Sequence, residues 1–208
     1  MRSRFPVSGL AVVLGLAVAA GAASLDRAFA QTGNFPEAPD KLPKTKADQG
    51  HNIEFLFEAL KAAPDDESAK SVENRIWALW LASGSDTADL LMSRVKAATE
   101  AKDLDLAIEL LDKIVAIKPD YVEGWNRRAT LYFMKKDYGH AMADIGQVLA
   151  REPRHFGALT GLGTILQEIG EDKRALEVYR RVLAVHPHLQ NVPDLIKTLT
   201  DKVEGRDI

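Results

Sequence analysis

The histidines are the residues of this chain best suited to bind a metal ion, and only His186 and His188 lie close together in the sequence. Two imidazoles on either side of Pro187 do not complete the coordination of a metal such as zinc, which takes four ligands in structural sites. The chain has no cysteine, which excludes a thiolate nucleophile, a disulfide and a sulfur-based zinc site. We therefore expect no metal and no cofactor.

The sequence gives equally little support for nucleophilic catalysis or for phosphate binding. Residues 161–163 (Gly-Leu-Gly) contain two glycines of a nucleotide-binding loop, but the third is missing and no strand pattern precedes them. Ser93 is the only serine after Asp86, so that part of the chain offers no serine, histidine and acid trio. Carboxylates such as Asp103 and Glu171 stand where helices are expected to begin, a position that the helix dipole favours. The sequence predicts a protein that is not an enzyme.

The composition is that of a globular helical protein. The chain has 208 residues, of which 46% are hydrophobic, enough for one or two domains with a genuine core. Apolar residues recur at helical spacing throughout the second half, and no segment alternates with the two-residue period of a strand. The formal net charge of -3 provides no basic surface for nucleic acid. We expect an all-α fold that has no nucleic-acid partner.

The second half of the chain repeats itself every 34 residues. One ladder at this spacing consists of prolines: Pro119, Pro153 and Pro187. Another consists of alanines: Ala107, Ala141 and Ala175. A period of this length is typical of helix pairs that stack into a solenoid, because one pair cannot bury its apolar face alone. The sequence therefore predicts a helical binding scaffold.

The pattern resembles the tetratricopeptide repeat (TPR), which combines aromatic and small residues at fixed positions of two helices with a closing proline. The middle copy fits best, with Trp125, Ala129, Tyr132, Ala141, Ile145 and Pro153. The third copy has Leu159, Gly163, Leu166, Ala175, Tyr179 and Pro187 at the same offsets. The first copy is degenerate in its first helix. The resemblance implies an α-solenoid of helix-turn-helix hairpins with N- and C-terminal capping helices, and repeats at 88–121, 122–155 and 156–189.

The N-terminus is predicted to be an export signal. Arg2 and Arg4 precede an apolar run over residues 7–23, and Ala28 and Ala30 provide the small residues of a cleavage site before Gln31. We expect a signal peptide over 1–30, a periplasmic location in a bacterial envelope and no transmembrane span after cleavage. The alternative is an uncleaved signal that anchors the protein in the inner membrane.

Three further segments lie outside the repeats. Residues 31–50 contain three prolines and few large apolar residues, which predicts a flexible linker. Residues 51–84 have the length of a repeat without its pattern, and this degenerate helical pair is expected to close the N-terminal end of the solenoid. Residues 191–205 predict a capping helix with Leu195, Leu199 and Val203 on its apolar face.

Three tryptophans indicate either core or contact surface. Trp125 occupies a packing position of its repeat, which favours the core. Trp77 and Trp80 are three residues apart on one face of a predicted helix, and we expect them to seal the N-terminal pair against the first full repeat. The alternative is an exposed aromatic surface, since tryptophan often anchors interfaces.

The concave groove of a TPR solenoid usually holds the partner, so the resemblance implies a binding face on the first helix of each repeat. Helical rotation of about 100° per residue selects the arc opposite the packing residues. The predicted partner-binding residues are Lys96, Asn126, Arg127, Thr130, Phe133, Met134 and Thr164. Phe133 and Met134 are the best candidate anchors because they are apolar on a polar face, and lateral packing on the next helix pair is the alternative for both.

The sequence predicts an exported adaptor or scaffold that binds a protein or peptide segment of the cell envelope in this groove. Some relatives hold the C-terminal carboxylate of a chaperone with a clamp of basic residues and asparagine. We expect that clamp to be absent, since Lys96 and Arg127 are the only basic residues at its places, and the others are Met92, Gly157 and Gly161. The alternative function is a structural or assembly subunit that acts through self-association or through the Trp77 and Trp80 surface. The sequence leaves the oligomeric state open.

Overall fold

The computed structural model describes residues 53–205, and this part of the chain is helical throughout. It contains nine α-helices and no strand. Their bounds are α1 Ile53–Lys61, α2 Asp66–Leu81, α3 Asp86–Glu100, α4 Leu104–Ile117, α5 Val122–Met134, α6 Tyr138–Arg151, α7 Phe156–Glu168, α8 Asp172–Val185 and α9 Val192–Val203. The all-α fold class is confirmed. The predicted signal peptide (1–30) and linker (31–50) lie outside the described residues.

The turn inside each of the three central helix pairs has the same construction. One residue of each turn adopts a left-handed backbone: Lys102 (φ 60°), Lys136 (φ 59°) and Gly170 (φ 82°). In the first two turns an aspartate follows and begins the next helix. The carboxylate of Asp103 accepts a hydrogen bond from the N–H of Leu106, and that of Asp137 accepts one from His140. Each aspartate thereby satisfies a backbone donor that the first turn of a helix leaves unpaired.

Each central pair closes around a small residue. Ala107, Ala141 and Ala175 are completely buried in α4, α6 and α8. The two helices of the third pair approach closely, since a Cβ atom built on Gly163 of α7 would lie 2.6 Å from Cε1 of Tyr179. The ladder of small residues therefore marks the line along which the two helices of each pair touch.

Consecutive pairs stack on one another, α4 against α5 and α6 against α7. Arg128 of α5 ties the first junction together: its guanidinium pairs with Asp144 of its own repeat at 2.7 Å and with Asp112 of the preceding repeat at 2.6 Å. Hydrogen bonds to Asp144 raise the pKa of Arg128. Half-buried Trp125 lies beneath this guanidinium, and its indole N–H donates to the carbonyl of Pro119 at 2.9 Å.

The N-terminal hairpin, α1 and α2, packs against the third repeat. Trp77 meets Phe156 edge to face with ring centroids 5.4 Å apart, and Trp80 stacks on His155 at 3.9 Å. The prediction that these tryptophans seal the hairpin against the first repeat is wrong. The start of α7 accommodates the indole rings because His155 and Phe156 present flat rings and Gly157 has no side chain. A Cβ atom on Gly157 would lie 3.1 Å from Cη2 of Trp77.

The alternative prediction of an exposed aromatic surface is wrong as well. Trp77 is 0% and Trp80 is 5% exposed. At the other end of the described chain, α9 packs on α8 through Val192 and Leu199, which are both buried. Within residues 53–205, no helix is both long and apolar enough to cross a membrane.

Candidate partner-binding face

The inner face of the repeats is the side of α3, α5 and α7 that points away from α4, α6 and α8. The seven predicted binding residues differ widely in accessibility along it. Lys96 on α3 is exposed, and Arg127, Thr130 and Met134 on α5 are half-buried. The other three residues are buried, with exposed fractions of 8% for Asn126, 9% for Phe133 and 7% for Thr164. The structure thus brings the α5 residues together and leaves only part of the predicted set open to a partner.

The burial of Phe133 and Thr164 has local causes. The Phe133 ring lies 5.9 Å from the ring of Tyr138 and belongs to the apolar cluster between the second and third repeats. Thr164 lies 3.2 Å from the hydroxyl of Tyr179, which donates to Gln167. Lateral packing, the alternative for Phe133, therefore accounts for its place in the structure, and Met134 is the apolar side chain of the pair that keeps some exposure.

A buried carboxylate, Glu123, organises the centre of the inner face. It is 0% exposed, and its Oε1 accepts hydrogen bonds from Asn126 at 3.0 Å and from His155 at 2.8 Å. The Nδ1 atom of His155 accepts the N–H of Ala158 at 3.0 Å. Because one ring nitrogen accepts and the other donates, His155 is a neutral tautomer with its proton on Nε2.

Three polar atoms around this carboxylate have no hydrogen-bond partner among the described residues: Glu123 Oε2, Asn126 Oδ1 and Arg127 Nε. The Arg127 Nε atom lies 3.8 Å from Glu123 Oε2, beyond hydrogen-bond distance. A buried polar atom without a partner costs about 1–3 kcal/mol. Glu123 and Arg127 thus form an ion pair without a hydrogen bond, and two buried acceptors and one buried donor are left without a hydrogen-bond partner.

The N-terminal hairpin is fastened beside this face by histidines that follow α8. His188 donates from Nδ1 to Asp66 at 2.7 Å and from Nε2 to the carbonyl of Ala63 at 3.0 Å. Both partners only accept, so the ring is held as a cation, and these hydrogen bonds raise the pKa of His188. The neighbouring His186 donates to Glu73 at 3.3 Å.

Glu73 lies at the centre of the same contact. Burial raises the pKa of Glu73, but hydrogen bonds from His186 and Lys70 outweigh it and hold the pKa below its usual value. The carboxylate also accepts the indole N–H of Trp77 at 3.2 Å. A third contact joins Arg154 to Glu54 of α1, which lowers the pKa of Glu54.

Sequence reasoning missed these contacts. His186 and His188 stand out in the sequence only as a close histidine pair, whereas in the structure both contact the N-terminal hairpin. Their spacing around Pro187 places them in the turn before α9, but no periodicity connects them to Asp66 or Glu73. In the described part of the chain, no group of three or more histidine and acidic side chains is placed to hold a metal ion.

Comparison with known proteins agrees with this geometry. No protein-family model matches the chain. It is 41% identical over 163 residues to a TPR repeat-containing protein of Rhizobium etli, an alignment that covers 78% of this chain and 77% of the relative. The chain belongs to the tetratricopeptide repeat family. The TPR pattern of the sequence and the helix pairs of the structure therefore have one explanation.

Solved TPR structures share the fold at low sequence identity. The first TPR domain of Spaghetti bound to an HSP90 peptide matches with a TM-score of 0.55 and 20% identity, over 58% of this chain and 95% of that domain. The crystal structure of MamA matches with a TM-score of 0.54 and 18% identity, over 74% of this chain and 81% of that one. These similarities support the TPR solenoid as the fold.

Proposed function

We propose that this TPR protein is an adaptor that binds an extended protein or peptide segment along its inner face and carries out no catalysis. The observation that carries the proposal is the group of unpartnered atoms on Glu123, Asn126 and Arg127. A peptide backbone has both N–H donors and carbonyl acceptors, so it can satisfy all three. Arg127 is only half-buried, and its side chain can move aside to admit the segment.

The exposed part of the inner face supplies the remaining contacts. Thr130 and Met134 follow Arg127 along α5, and Lys96 lies on the neighbouring helix α3. Methionine adapts its shape to different apolar side chains, which suits an anchor pocket. We propose Arg127, Thr130, Met134 and Lys96 as direct contacts, and Asn126 as a contact made once Arg127 moves. Phe133 and Thr164 shape the face from beneath.

The charge of the inner face indicates what the segment is. The Spaghetti domain is bound to the HSP90 peptide SRMEEVD, which ends in acidic residues. On the inner face of this chain, two basic residues (Lys96, Arg127) are outnumbered by four acidic residues: Asp89, Glu100, Glu123 and Glu168. Two minus four gives a net charge of -2, which disfavours an acidic ligand. We propose a neutral or basic segment.

The location proposed for this interaction is the bacterial periplasm. Support comes from the N-terminal arginines, the apolar run and the Ala28 to Ala30 cleavage pattern. The partner is then a protein of the cell envelope, and the alternative location is the inner membrane with an uncleaved anchor. N-terminal sequencing of the native protein distinguishes the two, because cleavage gives Gln31 as the first residue and an anchor keeps Met1.

Photo-crosslinking tests the binding face. A photoreactive amino acid at Thr130 should capture an envelope protein, whereas the same group at Glu177, exposed on the outer helix α8, should not. A fluorescent peptide from the captured partner then gives a dissociation constant for each variant. Arg127→Ala together with Met134→Ala should weaken binding at least tenfold, which is about 1.4 kcal/mol. Arg181→Ala on α8 is the control, and equal binding by both variants would exclude the inner face.

A further inference from the structure

The first repeat has an end that the other two repeats lack. In the second and third repeats, two positions of the first helix pack on the preceding repeat. One position holds Gly124 and Ala158, and the other holds Leu131 and Ile165. A Cβ on Gly124 would lie 3.1 Å from Ile114, and Ala158, Leu131 and Ile165 are 0–4% exposed. These positions are the surface on which a solenoid receives its neighbour.

The equivalent residues of the first repeat are uncovered. A shift of 34 residues places Leu90 and Ala97 of α3 at these two positions. Leu90 is 56% exposed, and Ala97 is exposed as well. The N-terminal hairpin that precedes α3 packs on the third repeat instead of covering them.

The second helix of the same repeat widens this surface. Leu106 and Ile117 of α4 are 43% and 50% exposed. Their counterparts in the second repeat are covered by the first helix of that repeat: His140 stacks on Tyr132, and Arg151 lies over Trp125. We call the surface formed by Leu90, Arg94, Ala97, Leu106 and Ile117 the end face. An apolar solenoid end normally requires a polar cap for solubility, and this one has none among the described helices.

We propose that the end face binds the end face of a second copy of this chain, with the two α3 helices antiparallel across a two-fold axis at Leu90. The following side of each repeat is already covered by α5, α7 or α9, so the end face of a second copy is the matching apolar surface left uncovered. An isologous contact uses the same surface on both copies and closes after two.

Charge fixes the position of the axis. Asp86 and Arg94 stand four residues before and four residues after Leu90, and neither forms an ion pair within the described part of the chain. Antiparallel helices centred on Leu90 place each Asp86 opposite the other copy's Arg94, giving two ion pairs. An axis at Arg94 would instead oppose two like charges. The Arg128 pairing with Asp112 is the internal precedent for an arginine that finds its carboxylate across a junction.

A single introduced cysteine tests the axis directly, since the chain has none of its own. A residue on a two-fold axis meets its own copy, so Leu90→Cys should oxidise to a covalent dimer under mild conditions. Phe55→Cys on α1, 65% exposed, is the control and should stay monomeric. Equal crosslinking of the two variants overturns the proposal.

Sedimentation of the purified native protein over a concentration series measures the dissociation constant of the dimer. The parent should dimerise, and Leu90→Glu and Arg94→Glu should each raise the dissociation constant at least about tenfold. Restoring opposite charges with Asp86→Arg in the Arg94→Glu background should recover most of that loss, and Phe55→Glu should have no effect. Circular dichroism confirms that every variant is folded. A parent that stays monomeric, or a dimer indifferent to Leu90→Glu, overturns the proposal, as does a different protein found bound to the end face.

Discussion

Two helical glycines of this protein lie in opposite surroundings. Gly163 of α7 faces the ring of Tyr179, so closely that a Cβ atom would overlap three ring carbons at 2.6 to 2.9 Å. Gly146 of α6 is exposed, and a Cβ atom there would meet nothing within 4 Å. Only the first glycine is required by packing, since the second merely weakens its helix.

The same substitution at these two sites should therefore have opposite signs. Gly146→Ala should stabilise the protein by about 0.5–1 kcal/mol, because alanine has the higher helix propensity. Gly163→Ala should destabilise it by about 1–3 kcal/mol, because the rigid tyrosine ring must move. Urea denaturation of the two variants measures both free energies of unfolding. Effects of the same sign would contradict the close packing of α7 on α8.

The alanine ladder gives a second residue-scale prediction. Ala141 is completely buried where α5 and α6 touch, and Ala143, two residues later on the same helix, is exposed. Ala141→Leu should lower the free energy of unfolding by about 1–3 kcal/mol through overpacking. The control Ala143→Leu should change it by less than about 0.5 kcal/mol. If Ala141→Leu melts with the parent, the assigned line of contact is incorrect.

At the scale of elements, the hairpin of α1 and α2 is held by ionisable side chains as well as by tryptophans. Glu73 and His188 respond to pH in opposite directions. The pKa of Glu73 is lowered from 4.5, so its contribution to docking is complete above that value and is lost as the pH falls through the lowered pKa. The pKa of His188 is raised from 6.5, so its contribution is complete below that value and is lost as the pH rises through the raised pKa.

Docking of the hairpin should consequently be strongest between about pH 4.5 and 6.5. Hydrogen exchange of α1 and α2 amides, corrected for the intrinsic pH dependence of exchange, should show greatest protection in this window. His188→Ala should abolish the loss of protection on the alkaline side. His140→Ala is the control, since His140 pairs with Asp137 in the distant second repeat and should leave the profile unchanged.

The helices and the repeat period could be predicted from the sequence because each repeat follows local rules. Small residues lie at the contact line, acidic residues follow the turn and a proline ends the repeat. The docking of the hairpin could not, since it joins residues such as Glu73 and His186 that lie 113 positions apart. The burial of Asn126 was equally beyond helical periodicity. Asn126 shares the Glu123 carboxylate with His155, which lies 32 positions away from Glu123, directly before α7.

At the scale of the whole described molecule, stacked repeats contact only their neighbours, and their stability is close to a sum of local terms. The hairpin changes this, because α1, α2, α7, α8 and α9 share one apolar cluster. The first repeat has a separate cluster built around Ile114 and Leu111. Parts of the chain far apart in sequence are thus coupled, whereas α2 and α3, which are adjacent in sequence, belong to different clusters.

Trp77→Ala tests this division. Removing a fully buried tryptophan should cost about 3–5 kcal/mol. Amides of α1, α2 and α7 should exchange faster, while those of α3 and α4 should lose less protection. Trp125→Ala, at the junction of the first two repeats, is the matched variant and should loosen α4 and α5 first. Uniform loss of protection in both variants would show that the repeats unfold as one unit.

The long-range contacts of the N-terminal hairpin also set an order of events during synthesis. Glu73 cannot form its contact with His186 until another 113 residues have been synthesised. At translation rates of about 5–20 residues per second, that interval lasts about 6 to 23 s. In the part of it before His155 and Phe156 are made, the indoles of Trp77 and Trp80 lack the rings that cover them in the folded protein. The nascent chain is therefore most prone to aggregation before its last repeat is made. A molecule that shields those rings during that time would improve the yield of folded protein.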